Sequence, residues 1–342
     1  MLITIASGLN DTQYGKIQAP VKQYITEQDE AWKQKSMLDL LFSTETSDNF
    51  GETYGGETAL GDFVPGGENA SYPENSFQDG YQKLIQDIEW RDRFSVSAKM
   101  VEDVKMGKIK QGGNRFMGAY YRTREKYGAD IYTKGQDTTM TFNGHTFDIS
   151  GADGLALFST AHTSKTGGYA NQSNLYDGSY SYDNLSKLEA YGHNIRDDEG
   201  NRLGVSYDTI LVPNGQSAAT VAADAAQTQA IFEDLNGDGK PDSADRAGNY
   251  HFARWNVVVW PYLGIPTTIT TSNSYFILID STYLKDYSAM VWQTRKDLAV
   301  KSYVDENTDA NIWKGRARFA ACHWDWRFAA AVIPGSGGTS LS

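Results

Sequence analysis

The chain has 342 residues, of which 40% are hydrophobic and 22% charged. That is enough apolar mass for a real core and room for two domains, or one large domain with extensions. A net charge of −12 excludes a general affinity for nucleic acid through a basic face, and a single cysteine, Cys322, excludes an internal disulfide.

Residues 1–21 show no periodicity and read as an extended arm. A helix is predicted over 26–42, with Thr26 as its cap and Leu38, Leu40, Leu41 and Phe42 as its apolar end. Residues 43–64 form a weaker strand signal, with Phe50, Tyr54, Leu60 and Val64 on one parity. Pro65 to Asn75 is a dense cluster of turn formers.

The strongest strand signal follows, from Lys83 to Ser97. Leu84, Ile88, Trp90, Phe94 and Val96 fall on one parity, polar residues on the other, and Ile85 is the exception. As one strand it would run roughly 45–50 Å, well beyond a compact domain. Its apolar side therefore needs cover from outside, which makes Leu84, Ile88, Trp90 and Phe94 candidate intersubunit contacts. Together, 43–97 reads as a long two-stranded ribbon with a flexible tip, marginal by itself in water.

Residues 98–128 are predicted helical, with Met100, Val104, Ile109, Phe116, Met117, Tyr120 and Tyr121 at three- and four-residue steps. Gly107 and Gly112-Gly113 predict a bend or break. Basic residues crowd this stretch, among them Lys105, Lys108, Lys110, Arg115, Arg122, Arg124 and Lys126. They read either as a solvated helix face or as a face meeting nucleic acid.

Asn143-Gly144 marks a hairpin over 138–149. A polar loop covers 159–183, a short helix capped by Asp183 lies near 184–195, and Thr209 to Pro213 is a buried strand. An Ala-rich helix is expected at about 215–233. Strands then follow at His251 to Trp260, Ser274 to Ile279 and Leu298 to Val304. A second long strand, with Trp324, Trp326, Phe328, Ala330 and Val332 on one side, closes a mixed α+β chain.

One segment has the pattern of a cation site. Asp234 to Asp245 matches a calcium loop with oxygen ligands from Asp234, Asn236, Asp238, Asp242, Asp245 and the Lys240 carbonyl, and with Gly239 at the turn. Asp replaces the longer Glu at the last position and Pro241 interrupts the loop. The segment reads either as a structural Ca²⁺ site or as a solvated Asp/Asn/Gly turn. The five histidines are scattered without metal-ligand spacing, no nucleotide or hydrolase motif occurs, and no carboxylates pair as acid and base. The expectation is a non-enzyme with no required cofactor.

The order of parts resembles the major capsid protein of tailed phages, the Hong Kong 97-like fold. Leu157 to His162, with Gly167-Gly168 and Asn171 to Asn174, is similar to the loop after the long helix in Mu-like head subunits. Arg316 and Arg318 with Asp325 to Phe328 are similar to their C-terminal strand. The resemblance implies an N-terminal arm (1–42), an extended β-hairpin loop lying across a neighbour (43–97) and a peripheral domain with a long spine helix (98–205). It further implies an axial domain (206–300) and a return into the peripheral sheet (301–342). No cross-link is expected at Lys83, which lacks a matching Glu or Asn partner.

By that resemblance the protein is a structural shell subunit in the virion, assembled in the host bacterial cytoplasm. Its partners are itself in hexamers and pentamers, a separate scaffolding protein, a portal, and double-stranded DNA on the inner face without sequence specificity. No membrane is involved. The competing reading is an extracellular calcium-dependent adhesin or carbohydrate-binding module, suggested by the 234–245 loop and the aromatic content. A hydrolase of unrecognised type has no positive feature.

Overall fold

The computed structural model describes residues 29, 31–57, 63–68, 71–72, 74, 79–102, 106–178, 181–213, 230–232, 246–248, 251–266 and 275–341. The expected arm at 1–21, the helix cap at Thr26, most of the Ala-rich helix and the loop Asp234 to Asp245 lie outside these residues.

The described strands are β1 (Ser43–Thr46), β2 (Gly51–Glu57), β3 (Asp79–Gln86), β4 (Ile88–Val96), β5 (Thr139–Phe142), β6 (His145–Asp148), β7 (Leu175–Asp177) and β8 (Thr209–Pro213). They continue with β9 (Ala230–Phe232), β10 (Arg246–Gly248), β11 (Asn256–Trp260), β12 (Phe276–Ile279), β13 (Met290–Asp305), β14 (Ala310–His323), β15 (Ala329–Val332) and β16 (Thr339–Ser340). The helices are α1 (Leu38–Leu41), α2 (Ala98–Glu102), α3 (Met106–Thr133), α4 (Tyr182–His193) and α5 (Ser281–Asp286).

Two sheets organise the chain. One has four strands in the order β1-β13-β14-β4, and the other six in the order β11-β8-β12-β15-β7-β16. The six-stranded sheet is built from runs buried on both faces. Every residue of β8, β12 and β15 is buried, which is why these segments read as continuous apolar runs rather than alternating ones. The alanines of β15 stand opposite the bulkier side chains of β12, Ala331 facing Ile277 and Ala330 facing Leu278.

The long helix α3 lies against the four-stranded sheet through an aromatic cluster. Trp90 stacks on Phe319 at 5.0 Å, Phe319 on Trp292 at 5.1 Å, and Tyr127 of the helix meets Trp90 edge-on at 5.2 Å. The Trp90 indole N–H donates to the Phe319 carbonyl at 3.1 Å. A second group holds the other end: Phe94 stacks on Trp313 at 5.0 Å and touches Phe116. Such ring pairs add to the stabilisation that burial alone supplies.

Several sequence expectations change. The helix runs from Met106 to Thr133 without interruption at Gly107, Gly112 or Gly113. Gly112 lies against Phe94, where a Cβ would sit in ordinary van der Waals contact at 3.4 Å from its ring. The expected helix at 26–42 is broken after Lys33 and resumes as α1. Helix α4 is capped by Ser181, whose hydroxyl accepts from the Asn184 N–H; Asp183 instead pairs with Lys187. Residues 230–232 are strand, not helix. The longest strands are β13 and β14, while 324–328 lies between strands. The hairpin at Asn143-Gly144 forms as expected, with positive φ at both turn residues.

The single strand expected over 83–97 is two strands in different sheets. The β3 strand pairs with β2 as the ribbon, and β4 pairs with β14. Ile88, Trp90 and Phe94 are half-buried against their own subunit: a nine-residue strand can turn its apolar side to a helix of its own chain. Leu84 alone of the four points outward, 52% exposed. The expected domain bounds are also crossed. Strand β13 runs unbroken through 300–301, β7 joins the same sheet as β8 and β12, and 301–342 divides between both sheets.

This geometry separates the two kinds of position. Trp90→Ala should lower the stability of the isolated subunit by about 3 kcal/mol, the cost of emptying an aromatic core site. Leu84→Ala should change it by less than about 0.5 kcal/mol. Urea unfolding of the two variants measures the difference.

Candidate functional site

The ribbon of β2 and β3 is the part of the molecule least enclosed by its own chain. Its inner face meets the four-stranded sheet, where Ile85 packs with Val291, Ala320 and Cys322, and Tyr54 and Trp324 border the group. Lys83 reaches from the ribbon to Asp148 at 2.6 Å and to the Ser150 hydroxyl at 3.0 Å. Farther out, Lys165 donates to the Gly80 carbonyl at 2.7 Å, with its ammonium over the Tyr81 ring. Gly80 is required there, because a Cβ would lie 2.3 Å from the Gly56 carbonyl oxygen across the ribbon.

Beyond this anchorage the described residues have little cover from their own chain. Phe63 and Tyr72 are fully exposed, Val64 is exposed, and Phe50 and Leu84 form exposed apolar positions on the ribbon itself. Large apolar side chains held away from any core mark a contact surface.

Asp87 joins the ribbon to the body. Its N–H donates to the Phe50 carbonyl at 3.2 Å, and its fully buried carboxylate receives Arg318 Nε at 2.5 Å and Arg295 Nη1 at 3.2 Å. Around it the alternation changes phase. Ile85 and Asp87 face inward on one parity, and Ile88 and Trp90 on the other. The out-of-step Ile85 was the sequence signal for this switch; the arginine partners, more than 200 residues away, left none.

Under the ribbon base lies a buried polar cluster that sequence reasoning missed. His162 Nδ1 is 2.7 Å from Asp153, its Nε2 is 3.1 Å from Asn174 Oδ1, and its ring stacks on Trp326 at 4.2 Å. The Asn174 amide donates to the Leu157 and Ala329 carbonyls at 2.7 and 3.0 Å, and its oxygen accepts from the Ser159 N–H. Arg327 gathers Asp325, Asp198 and Tyr169, and Tyr283 donates to Asp325 at 2.7 Å. A cleft of about 280 Å³, lined by Gly56, Tyr81, Asp153, Asp198, Trp324 and Arg327, opens between this cluster and the ribbon. The segments 157–162 and 171–174, which resemble a head-subunit loop, thus act as pins between the polar loop and β15.

Cys322 is buried, and desolvation raises its thiol to about 12. Among the described residues no group of three or more His, Cys, Asp or Glu side chains could hold a metal ion. The calcium-loop residues Asp234, Asn236, Asp238, Lys240, Asp242 and Asp245 lie outside those residues. The strands on either side of them, β9 and β10, pair antiparallel with Arg246 opposite Phe232.

A family model described as phage capsid protein matches residues 88–332, a span that begins at the first residue of β4 and leaves out the ribbon. Among solved structures the chain is similar to the capsid of a native GTA particle, with 12% identity and a TM-score of 0.50 over 98% of this chain and 94% of that one. It is also similar to the bacteriophage PhiM1 mature capsid (11% identity, TM-score 0.49, 86% and 85% covered) and to Gordonia phage Cozz (13%, 0.49, 88% and 87%). No curated protein matches it.

Acid should loosen this region. Burial pushes the His323 imidazole down to about 3, and neither ring nitrogen has a hydrogen-bond partner among the described residues. The folded chain keeps it neutral while the unfolded chain takes up a proton near the ordinary value of 6.5. Its contribution to stability is therefore complete above about pH 6.5 and is lost as the pH falls toward 3. Asp153 acts in the same sense: burial raises its carboxyl, but the His162 hydrogen bond and charge outweigh burial and hold it below the usual value. Urea midpoints should fall between about pH 6.5 and 4, and His323→Leu should flatten that slope. An unchanged slope would remove His323 from the account.

Proposed function

The chain belongs to the phage capsid protein family, and from that premise we propose how it builds a shell. It is a structural major capsid protein with a Hong Kong 97-like α+β fold, a component of the virion that assembles with copies of itself. The observation that carries the reading is the family match over most of the chain, joined to a ribbon whose described tip residues include exposed Phe63, Val64 and Tyr72. Nothing in the comparisons favours an extracellular adhesin.

In the proposed shell the ribbon crosses to a neighbouring copy. Leu84, Phe50 and the tip supply apolar contacts there, while Ile88, Trp90 and Phe94 fix the strand from which it springs. The four-stranded sheet with α3 corresponds to the peripheral part and the six-stranded sheet to the axial part. Copies group as hexamers and pentamers of an icosahedral shell, formed in the host bacterial cytoplasm on a separate scaffolding protein, with a portal at one vertex. Packaged double-stranded DNA meets the inner face without sequence specificity. The shell works without catalysis. Lys83 is engaged by Asp148 and Ser150, in keeping with a subunit that is not cross-linked through it.

Ca²⁺ at the 234–245 loop is part of the same proposal. The antiparallel pairing of β9 with β10 brings the two ends of the loop together, and its carboxylates and carbonyl suit a hard cation. The role would be structural.

Two measurements test these readings. The purified chain, with scaffold if required, should form capsomers, shells or tubes in light scattering and negative-stain images. Deleting 65–78 should block this while leaving a folded subunit; shells unaffected by the deletion would defeat the ribbon assignment. Calorimetric titration should show heat on adding Ca²⁺. Silence at millimolar calcium, with no chelator effect on melting, removes the metal site.

A further inference from the structure

The outer face of the four-stranded sheet holds a concentration of positive charge that the chain as a whole does not. A cleft of about 650 Å³ there is lined by Arg91, Arg93, Lys296, Lys301, Lys314 and Arg316, against only Glu89 and Asp92. The strand register sets these cations directly opposite one another. Lys301 pairs with Lys314 and Lys314 with Arg93, a row of three across β13, β14 and β4. In the next row Arg316 pairs with Arg91. Like charges facing each other across strands are destabilising. Glu89 relieves one row by binding Arg316 and Arg91, and the Asp92 carboxylate accepts from the Arg93 backbone N–H. In the row of three, Lys314 lies over the Tyr303 ring at 5.0 Å, which leaves its charge in place.

The same sequence carries the opposite charge in one block. From Ser36 to Gln82 there is no Lys or Arg, while Asp39, Glu45, Asp48, Glu52, Glu57, Asp62, Glu68, Glu74 and Asp79 supply nine acids. Six of the nine fall between Gly51 and Gln82, in the ribbon and its tip, and among them Glu68, Glu74 and Asp79 are exposed. Random placement of the chain's 31 basic residues would leave few gaps of that length.

We propose that the cationic cleft on β4, β13 and β14 receives the acidic ribbon tip of a second copy of this chain. This rests on the ribbon reading above and adds the acceptor surface. The cleft's surplus of four positive charges faces six acids in the ribbon and tip, and a homo-oligomer supplies the two surfaces in equal number. The cleft's internal repulsion is relieved when carboxylates enter it, so part of the association energy is stored in each subunit before contact. Opposite patches also speed encounter and fix the register of docking, and make both sensitive to salt.

The test is a charge exchange in the full-length chain. A cleft variant (Lys301→Glu with Lys314→Glu) and a tip variant (Glu68→Lys with Glu74→Lys) should each raise the concentration needed for assembly about tenfold or more. The combined variant should recover most of that loss, and added salt should weaken assembly of the parent chain. Lys301→Ala, which removes one repulsive pair, should leave the subunit melting temperature equal or higher while weakening assembly, which separates docking from folding. Normal assembly of the cleft variant, or no recovery in the combined variant, overturns the proposal. Cleft variants that build normal shells yet bind duplex DNA less tightly would assign the surface to DNA instead. If deletion of 65–78 blocks assembly but the charge reversals do not, only this acceptor fails; if the deletion is silent, the ribbon reading fails with it.

Discussion

The buried carboxylate of Asp87 is the constraint on which the arrangement of the molecule turns. It lies between a ribbon that must project and a sheet that must stay closed, and it is bound to both. Its backbone continues the ribbon through Phe50, and its side chain ties Arg318 of β14 and Arg295 of β13. Losing one member of such a buried pair is costly, because the remaining charge stays where water cannot reach it fully. The geometry is a clamp at the base of a lever: apolar residues before Asp87 serve the ribbon and those after it serve the core.

The clamp makes sense of the uneven distribution of apolar and charged groups. Behind it, Trp90, Phe94, Trp292, Trp313 and Phe319 close the gap between sheet and helix. In front of it, among the described residues, the ribbon leans on a small cluster and on lysine contacts, and Phe63, Val64 and Tyr72 are exposed. A subunit built this way is rigid where it must hold its shape and unfinished where it must meet another. The opposed charges of tip and sheet face give the unfinished part a direction.

Alternation in the sequence was a sound guide to which residues form strands and a poor guide to where strands end. The Asn143-Gly144 turn, the buried run 209–213 and the long helix were legible because each depends on residues close in sequence. At Ile88, Trp90 and Phe94 the pattern shows that one side is apolar without showing what covers it within the subunit. The covering groups are Tyr127, Phe142 and Phe319 for Trp90, and Trp313 and Phe116 for Phe94. Likewise His162 and His323 read only as scattered histidines without metal-ligand spacing, since burial by Trp326, Asp153 and the 150–154 turn comes from other segments.

By itself the sequence determined the α+β class, the long helix, the turn-rich tip and the family resemblance, because local propensity and periodicity encode them directly. The tertiary structure decided which side of each strand is inside, that 83–97 is two strands meeting at Asp87, and which cations stand opposite one another. Those are matters of register between segments more than 200 residues apart, such as Arg318 with Asp87 or Lys314 with Arg93. No window of sequence holds both partners, and only the folded chain sets their charges side by side.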